Sequence, residues 1–163
     1  MNYTRFNTEI CEIILVGNEE GITNLHLNTG EGKREFRVLE EWIYNDNFFD
    51  DAKKQIYEYL EGNRKDFNIK LNIKGTKYQR RVWDELRKIP YGEVYTYKEI
   101  ASKLGNEKAS RAVGMANSKN PIPLIVLCHR VVGSNGKLTG FAHGLKVKKE
   151  LINLEYNNKG KDN

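Results

Sequence analysis

The chain has 163 residues, a formal charge of +5, 39% hydrophobic and 30% charged side chains and only three prolines. That length closes one ordinary domain or two small ones without metal or disulfide staples, and the composition excludes a disordered, collagenous or low-complexity chain. Its two cysteines, Cys11 and Cys128, lie far apart in dissimilar surroundings, which argues against the disulfide framework of a small secreted protein and for a reducing compartment.

From the N-terminus, residues 8–16 and 22–28 read as two strands joined by a turn over residues 17–21, with a glycine at each end where a positive φ is useful. The apolar stretch 13–16 is too short, and too acidic in its flanks, for a signal-peptide core. Ala52, Ile56 and Leu60 recur every four residues, so residues 49–61 are predicted helical, with Gly62 near the stop. Phe67, Ile69, Leu71 and Ile73 alternate with polar residues and predict a half-buried strand. Residues 1–75 thus form a small α/β domain with neither a nucleophile constellation nor a phosphate loop.

At Gly75 the texture changes. Residues 1–75 carry a net −4 and residues 76–163 a net +9, so the second domain, 76–163, is suited to a polyanion whose phosphates release counterions on binding; a solvated basic surface is the plain alternative. Tyr78, Val82, Trp83, Leu86 and Ile89 form one apolar stripe, ended by Pro90-Tyr91-Gly92. Thr96 and Glu99 have the spacing of a capping box, so a short helix begins at Tyr97, stops at Gly105 and buries Ile100, Ala101 and Leu104. Asn106 is placed to cap a third helix running to about Asn117. Helix, glycine-containing turn and basic third helix together are the grammar of a helix-turn-helix. The apolar run 121–128 is too short to span a bilayer and delivers Cys128, His129 and Arg130 at its end. An Asn135-Gly136 turn follows, and a last helix, residues 144–155, buries Leu145, Leu151 and Ile152.

Cys128 has the best claim to chemistry, because a cysteine beside an imidazole and a guanidinium has its thiolate favoured; the other reading is an inert buried thiol. Cys11, mid-strand without a basic neighbour, is read as structural. His129 follows Cys128 directly, so in a strand the two would face opposite sides, and their coupling calls for an irregular backbone or a bridging water. Glu155 falls on the apolar face of the last helix, where it either orients the imidazole or reaches solvent at the helix end. The sequence carries no dinucleotide fingerprint, no complete phosphate loop and no metal-ligand spacing, so neither cofactor nor metal is expected.

The segments SRAVG (110–114), PIPLIVLCHRVVGSNG (121–136) and GFAHGL (140–145) closely resemble the O6-alkylguanine-DNA alkyltransferases, the methylated-DNA-protein-cysteine methyltransferases. The likeness runs through nearly all of 77–155 and is weaker over 1–75. It implies a ribonuclease-H-like N-terminal α/β domain followed by a mostly helical, winged-helix-like helix-turn-helix domain. It also implies direct, stoichiometric repair: DNA is held through its minor groove, the damaged base is flipped out, and the alkyl group of O6-alkylguanine or O4-alkylthymine passes irreversibly to the protein.

Carried over on matching positions, Cys128 is the alkyl acceptor, His129 the water-linked base, Glu155 its polarising carboxylate, Asn120 the brace of the turn before the site, and Tyr97 the proton donor to guanine N3. Arg111 is the finger that fills the base stack. With Tyr97, Lys108, Ala109, Ser110, Gly114, Met115 and Arg130 it makes the DNA face, where the small residues admit close approach to a narrow groove. Met115, Val131, Phe141 and Ala142 line the pocket for the flipped base. Three positions depart from the family's pattern: Leu127 replaces a proline, Phe141 a tyrosine and His143 a glycine. The partner implied is double-stranded DNA bearing O6-alkylguanine. The protein is expected to be monomeric, without a membrane role, and cytoplasmic, or nuclear in a eukaryotic host. The rival readings are a non-enzymatic alkyltransferase-like lesion binder, against which Cys128 itself argues, a helix-turn-helix regulator, and a Cys-His-Glu hydrolase.

Overall fold

A computed structural model describes residues 1–31, 35–138 and 141–161. Strands β1 (Asn2–Asn7), β2 (Glu12–Asn18) and β3 (Gly21–Asn28) make an antiparallel meander, and β4 (Ile43–Tyr44) adds in parallel to β1, giving the order β3-β2-β1-β4. The β2–β3 turn is tight, with Asn18 paired to Gly21. Gly21 has φ of 128°, and a Cβ there would stand 2.9 Å from the Lys70 carbonyl oxygen, so the position requires glycine. β2 starts four residues later than its hydrophobic pattern suggests, because the Thr8 hydroxyl accepts from the amides of Ile10 and Cys11 and closes a local turn. β1, whose sequence NYTRFN is largely polar, is a strand the hydrophobic pattern does not announce.

Helix α1 (Asp50–Leu60) covers the sheet with Ala52, Ile56, Tyr59 and Leu60, which join Ile13, Leu15, Leu25 and Leu27 in the core. The alternating segment 67–73 is not a ladder strand. It lies along β3 through one bridge, Ile22 to Leu71, with two hydrogen bonds, Ile22 N to Lys70 O at 2.9 Å and Asn72 N to Ile22 O at 2.8 Å. Its alternation reports that Phe67, Ile69, Leu71 and Ile73 dip against the core, not that a full strand forms.

Helix α2 (Lys77–Leu86) opens on a Thr76–Gln79 capping box and buries Val82, Trp83 and Leu86. It stops short of Ile89 because Pro90 biases the residue before it away from helix, leaving 87–89 in tighter turns. The two-residue strand β5 (Tyr95–Thr96) leads into α3 (Tyr97–Lys103), whose Thr96–Glu99 capping box is present in full. Helix α4 (Ser110–Ser118) is capped by Ala109 with no side-chain bond; Asn106 instead accepts from Lys108 N and closes a turn outside the helix. Trp83 Nε1 donates to Ala116 O at 2.9 Å and pins α2 to α4.

The run 124–127 is no strand either. Leu124 sits at φ of 78°, Val126 N returns to Ile122 O, and Cys128 opens a 3-10 turn, Cys128–Arg130. β6 (Val131–Val132) follows and pairs in parallel with β5. Helix α5 (Leu145–Asn158) turns Val147, Lys148, Leu151 and Glu155 inward, while Leu145 is exposed and Ile152 only half-buried. The expected apolar face is thus rotated, and two charged residues occupy it. One core joins both halves of the chain, with Leu25 N bonding Pro121 O and Thr29 Oγ1 bonding the His143 carbonyl. Among the described residues, no helix is long and apolar enough to cross a membrane.

Candidate active site

The site is built where the helix-turn-helix meets the segment carrying Cys128. The β5–β6 pairing sets Tyr95 opposite Val131 and Thr96 opposite Val132, so the start of α3 is fastened three residues beyond the cysteine. Asn120 braces the loop before it: its Nδ2 donates to Val126 O at 2.8 Å and its Oδ1 accepts from Ile122 N at 2.9 Å. Those bonds hold the left-handed backbone at Leu124, a conformation that costs a non-glycine residue about 1–3 kcal/mol. Leu127 adopts φ of −75°, within the range a proline ring imposes, so the turn keeps at this position the shape that proline would set.

Cys128 is 3% exposed and His129 is fully buried. The 3-10 turn supplies the irregular backbone that lets neighbours in sequence serve one site. His129 Nε2 lies 2.8 Å from Glu155 Oε2, and since the carboxylate can only accept, Nε2 carries the proton and Nδ1 keeps its lone pair. Nδ1 is buried and has no hydrogen-bond partner among the described residues. Burial pushes the imidazole pKa below its ordinary value against the pull of Glu155, so His129 is neutral at neutral pH and available as a base.

Glu155 does not reach solvent from its helix end: it is 2% exposed. Burial raises its pKa, but His129 and the forked Arg130 outweigh that and leave the carboxyl at about 2. With the imidazole neutral, the charge that keeps Glu155 ionised at neutral pH is that of Arg130. Arg130 is itself 2% exposed, with both prongs on Glu155 and Nη1 on the Ile89 carbonyl at 2.5 Å. It therefore stands inside the protein and not on the expected DNA face, because the buried carboxylate claims it.

Lys148 is the residue that sequence reasoning missed. It is wholly buried on α5, and its Nζ lies 5.9 Å from the ring centroids of both Tyr97 and Phe141. Burial lowers its ammonium to about 8, while the negative charge available at Cys128 raises it. One cation thus gathers Cys128, Tyr97 and Phe141 into a single site. The available signal was its helical phase: position 148 lies seven residues before Glu155 and three before the core residue Leu151.

The other expected residues fall in two groups. Phe141 is buried, Ala142 half-buried, and Val131 fully enclosed in its pairing with Tyr95. His143 is buried, with Nδ1 3.3 Å from the Leu27 carbonyl, so the residue standing where the family has glycine packs toward β3. On the α3–α4 surface, Lys108 and Arg111 are exposed, Met115 is 62% exposed, and Ala109, Ser110 and Gly114 are half-buried. Tyr97 lies against Gly114, where an added Cβ would stand 3.9 Å from its ring. Gly140 of the quoted motif lies outside the described residues.

A four-stranded sheet unit, followed by a helix-turn-helix against which a buried cysteine, histidine and carboxylate are set, defines a DNA-binding thiol protein. Comparisons make this specific. Residues 1–73 match the family model of the 6-O-methylguanine DNA methyltransferase ribonuclease-like domain, and residues 77–157 that of its DNA-binding domain. The chain is 49% identical over 155 residues to the methylated-DNA–protein-cysteine methyltransferase of Methanosarcina acetivorans, covering 95% of this chain and 98% of that one. It is 40% identical over 159 residues to the constitutive Bacillus subtilis protein of that name, covering 94% of each. The crystal structure of Mycobacterium tuberculosis OGT in complex with DNA superposes with a TM-score of 0.89 at 38% identity, covering 97% of this chain and 94% of that one. The chain belongs to the 6-O-methylguanine DNA methyltransferase family.

Proposed function

We propose that this protein is a methylated-DNA–protein-cysteine methyltransferase that repairs O6-alkylguanine, and O4-alkylthymine, in double-stranded DNA by moving the alkyl group to its own Cys128. The observation that carries the reading is the buried Cys128, His129 and Glu155 arrangement with the charge of Lys148 acting on the thiol, tied to α4 by Asn117 Nδ2, which donates to the Cys128 carbonyl. The alternative, a lesion binder without transfer, gives this machinery nothing to do.

The chemistry follows from the groups. His129 Nδ1 takes the Cys128 proton through a water, and the Lys148 ammonium favours the resulting thiolate. The sulfur attacks the alkyl carbon; the S–C bond forms as the C–O6 bond breaks, and its electron pair leaves on the purine. Tyr97 gives guanine N3 a proton as that negative charge develops. The thioether has no leaving group to return, so each molecule acts once. Reaching the base requires taking it from the stack, at a cost of a few kcal/mol. Arg111, exposed on α4, fills the gap, and Lys108, Ala109, Ser110, Gly114 and Met115 form the docking surface. Phe141 and Ala142 wall the pocket, and Asn120 keeps the preceding turn in shape. The protein acts as a monomer, without a cofactor.

Incubation with a duplex containing one O6-methylguanine, followed by intact-mass and peptide analysis, tests this. One methyl group on Cys128, absent from Cys128→Ser, is expected. Unmodified protein still bound to the lesion would refute transfer and favour the lesion binder.

A further inference from the structure

Glu155 accepts four hydrogen bonds. Arg130 Nε binds Oε1; Arg130 Nη2, His129 Nε2 and the Tyr59 hydroxyl all converge on Oε2. Three of these donors come from the turn that carries Cys128. The fourth comes from α1, 96 residues earlier in the chain, on the sheet unit that holds no other part of the described site.

Tyr59 is built to stay in this position. It is wholly buried one helical turn after Ile56, its ring packs on Phe67 at 5.1 Å and meets Tyr91 edge-on at 6.3 Å, and Gly62, at φ of 80°, ends the helix just beyond it. Its oxygen also lies 3.4 Å from His129 Nε2. A phenol has one proton, and Glu155 receives it; toward the imidazole the same oxygen can only accept. Nε2 therefore faces two acceptors, both of which keep its proton there and leave the lone pair on Nδ1. Burial and the neighbouring carboxylate hold the Tyr59 phenol protonated, as the arrangement requires.

We propose that Tyr59 is a positioning residue for alkyl transfer: its hydroxyl, delivered by α1, completes the donor set on Glu155 and fixes His129 as the Nδ1 base. This rests on the proposed transfer to Cys128, and it gives the sheet unit a part in the chemistry. The other titratable or charged groups facing the pair are Arg130 and Cys128 from the 3-10 turn, Tyr91 from the loop after α2, and Lys148 from α5. All of them remain when Tyr59 alone is changed.

Tyr59→Phe keeps the ring and removes the hydroxyl. Without that donor the carboxylate draws harder on the imidazole proton, so the His129 pKa rises. Single-turnover transfer from an O6-methylguanine duplex is expected to slow about tenfold at neutral pH, the loss associated with one hydrogen bond to a charged group. The acid limb of the pH profile moves to higher pH, while the affinity for unmodified duplex stays the same. Placing 3-fluorotyrosine at position 59, a stronger donor of the same shape, moves the limb the other way and serves should the phenylalanine variant fold poorly. An unchanged profile in both variants, or a rate loss equal at every pH, overturns the proposal. Nitrogen-15 titration of the His129 imidazole reads the same shift without any reaction. A wild-type protein that leaves Cys128 unmethylated therefore refutes the transfer reading and still leaves Tyr59 tested.

Discussion

Arg130 and Glu155 meet in a forked ion pair buried within the protein, Nε to Oε1 at 2.7 Å and Nη2 to Oε2 at 2.9 Å. The remaining nitrogen is bound to the Ile89 carbonyl, and the guanidinium lies 5.6 Å from the centroid of the Tyr91 ring. All three of its nitrogens are engaged inside the protein and the residue is 2% exposed, so this cation is not presented to a phosphate. Removing one partner of such a pair strands the other charge in the interior, at a cost of about 3–5 kcal/mol. Arg130→Met is therefore expected to lower the urea midpoint strongly. At a temperature where the variant is folded, its DNA affinity should keep the salt dependence of the parent. Lys108→Ala, at an exposed position just before α4, should show the opposite pattern: unchanged stability and a salt slope shallower by roughly 0.9, the value for one lost phosphate contact. A shallower slope for Arg130→Met would return that residue to the DNA face.

The carboxylate of that pair, which His129 also binds, sets an acid limit. Glu155 is held at about 2 against a reference of 4.5, so its stabilisation is complete above pH 4.5, falls as the pH drops through that window, and is gone below about 2. Its full size is on the order of 3 kcal/mol. His129, whose pKa is lowered by burial, acts in the same direction from a higher starting point: below its reference of 6.5 the unfolded chain takes up a proton that the folded imidazole resists. Urea unfolding from pH 7 to pH 3 should show the stability gap between wild type and Glu155→Gln narrowing below pH 4.5. A gap that is constant with pH would mean that Glu155 is not ionised in the folded protein.

Local signals in the sequence carried the helix-turn-helix well. Thr96 and Glu99 announce a capping box that forms as read, because both bonds lie within one turn and depend on nothing distant. Where the outcome turned on long-range partners, the pattern misled. Residues 67–73 alternate like a strand yet meet β3 at one bridge. Asn106 has the identity of a helix cap, but its side chain finds the nearer Lys108 amide. Arg130 looks like a surface cation until a carboxylate 25 residues away is folded beside it. Lys148 leaves one signal, its helical phase against Leu151 and Glu155; its neighbours LKV and KEL do not say that a lysine turns inward, and the assembled site, with Cys128 and two aromatic rings, supplies the reason for it to do so.

Leu127 offers a test of how the turn before the thiol is held. Its φ of −75° suits proline. Leu127→Pro should therefore fold and be more stable by about 0.4–1 kcal/mol, through the lost freedom of the unfolded chain, less whatever packing the buried leucine supplied. Thermal unfolding measures it, and the transfer rate should stay within a factor of about two, since φ at this position does not change. A collapse in rate with unchanged stability would show that the leucine side chain itself serves the site.

Lys148 should display stability and chemistry pulling in opposite directions. Burial lowers its pKa from 10.5 to about 8, which means that the folded state bears a penalty for the ammonium below pH 8 that is relieved as the pH rises from 8 to 10.5. That penalty is on the order of 3 kcal/mol, and replacing the side chain with an apolar one of similar length removes it. Lys148→Met is expected to unfold at higher temperature than wild type at pH 7, with the advantage shrinking as the pH approaches 10. The same variant loses a positive charge that acts on Cys128, so its single-turnover alkyl transfer at pH 7 should be at least tenfold slower. The deficit should narrow at alkaline pH, where wild-type Lys148 also loses its proton and the thiol ionises unaided. A variant that is both less stable and equally slow at every pH would mean that Lys148 serves as packing and not as a charge for the thiolate.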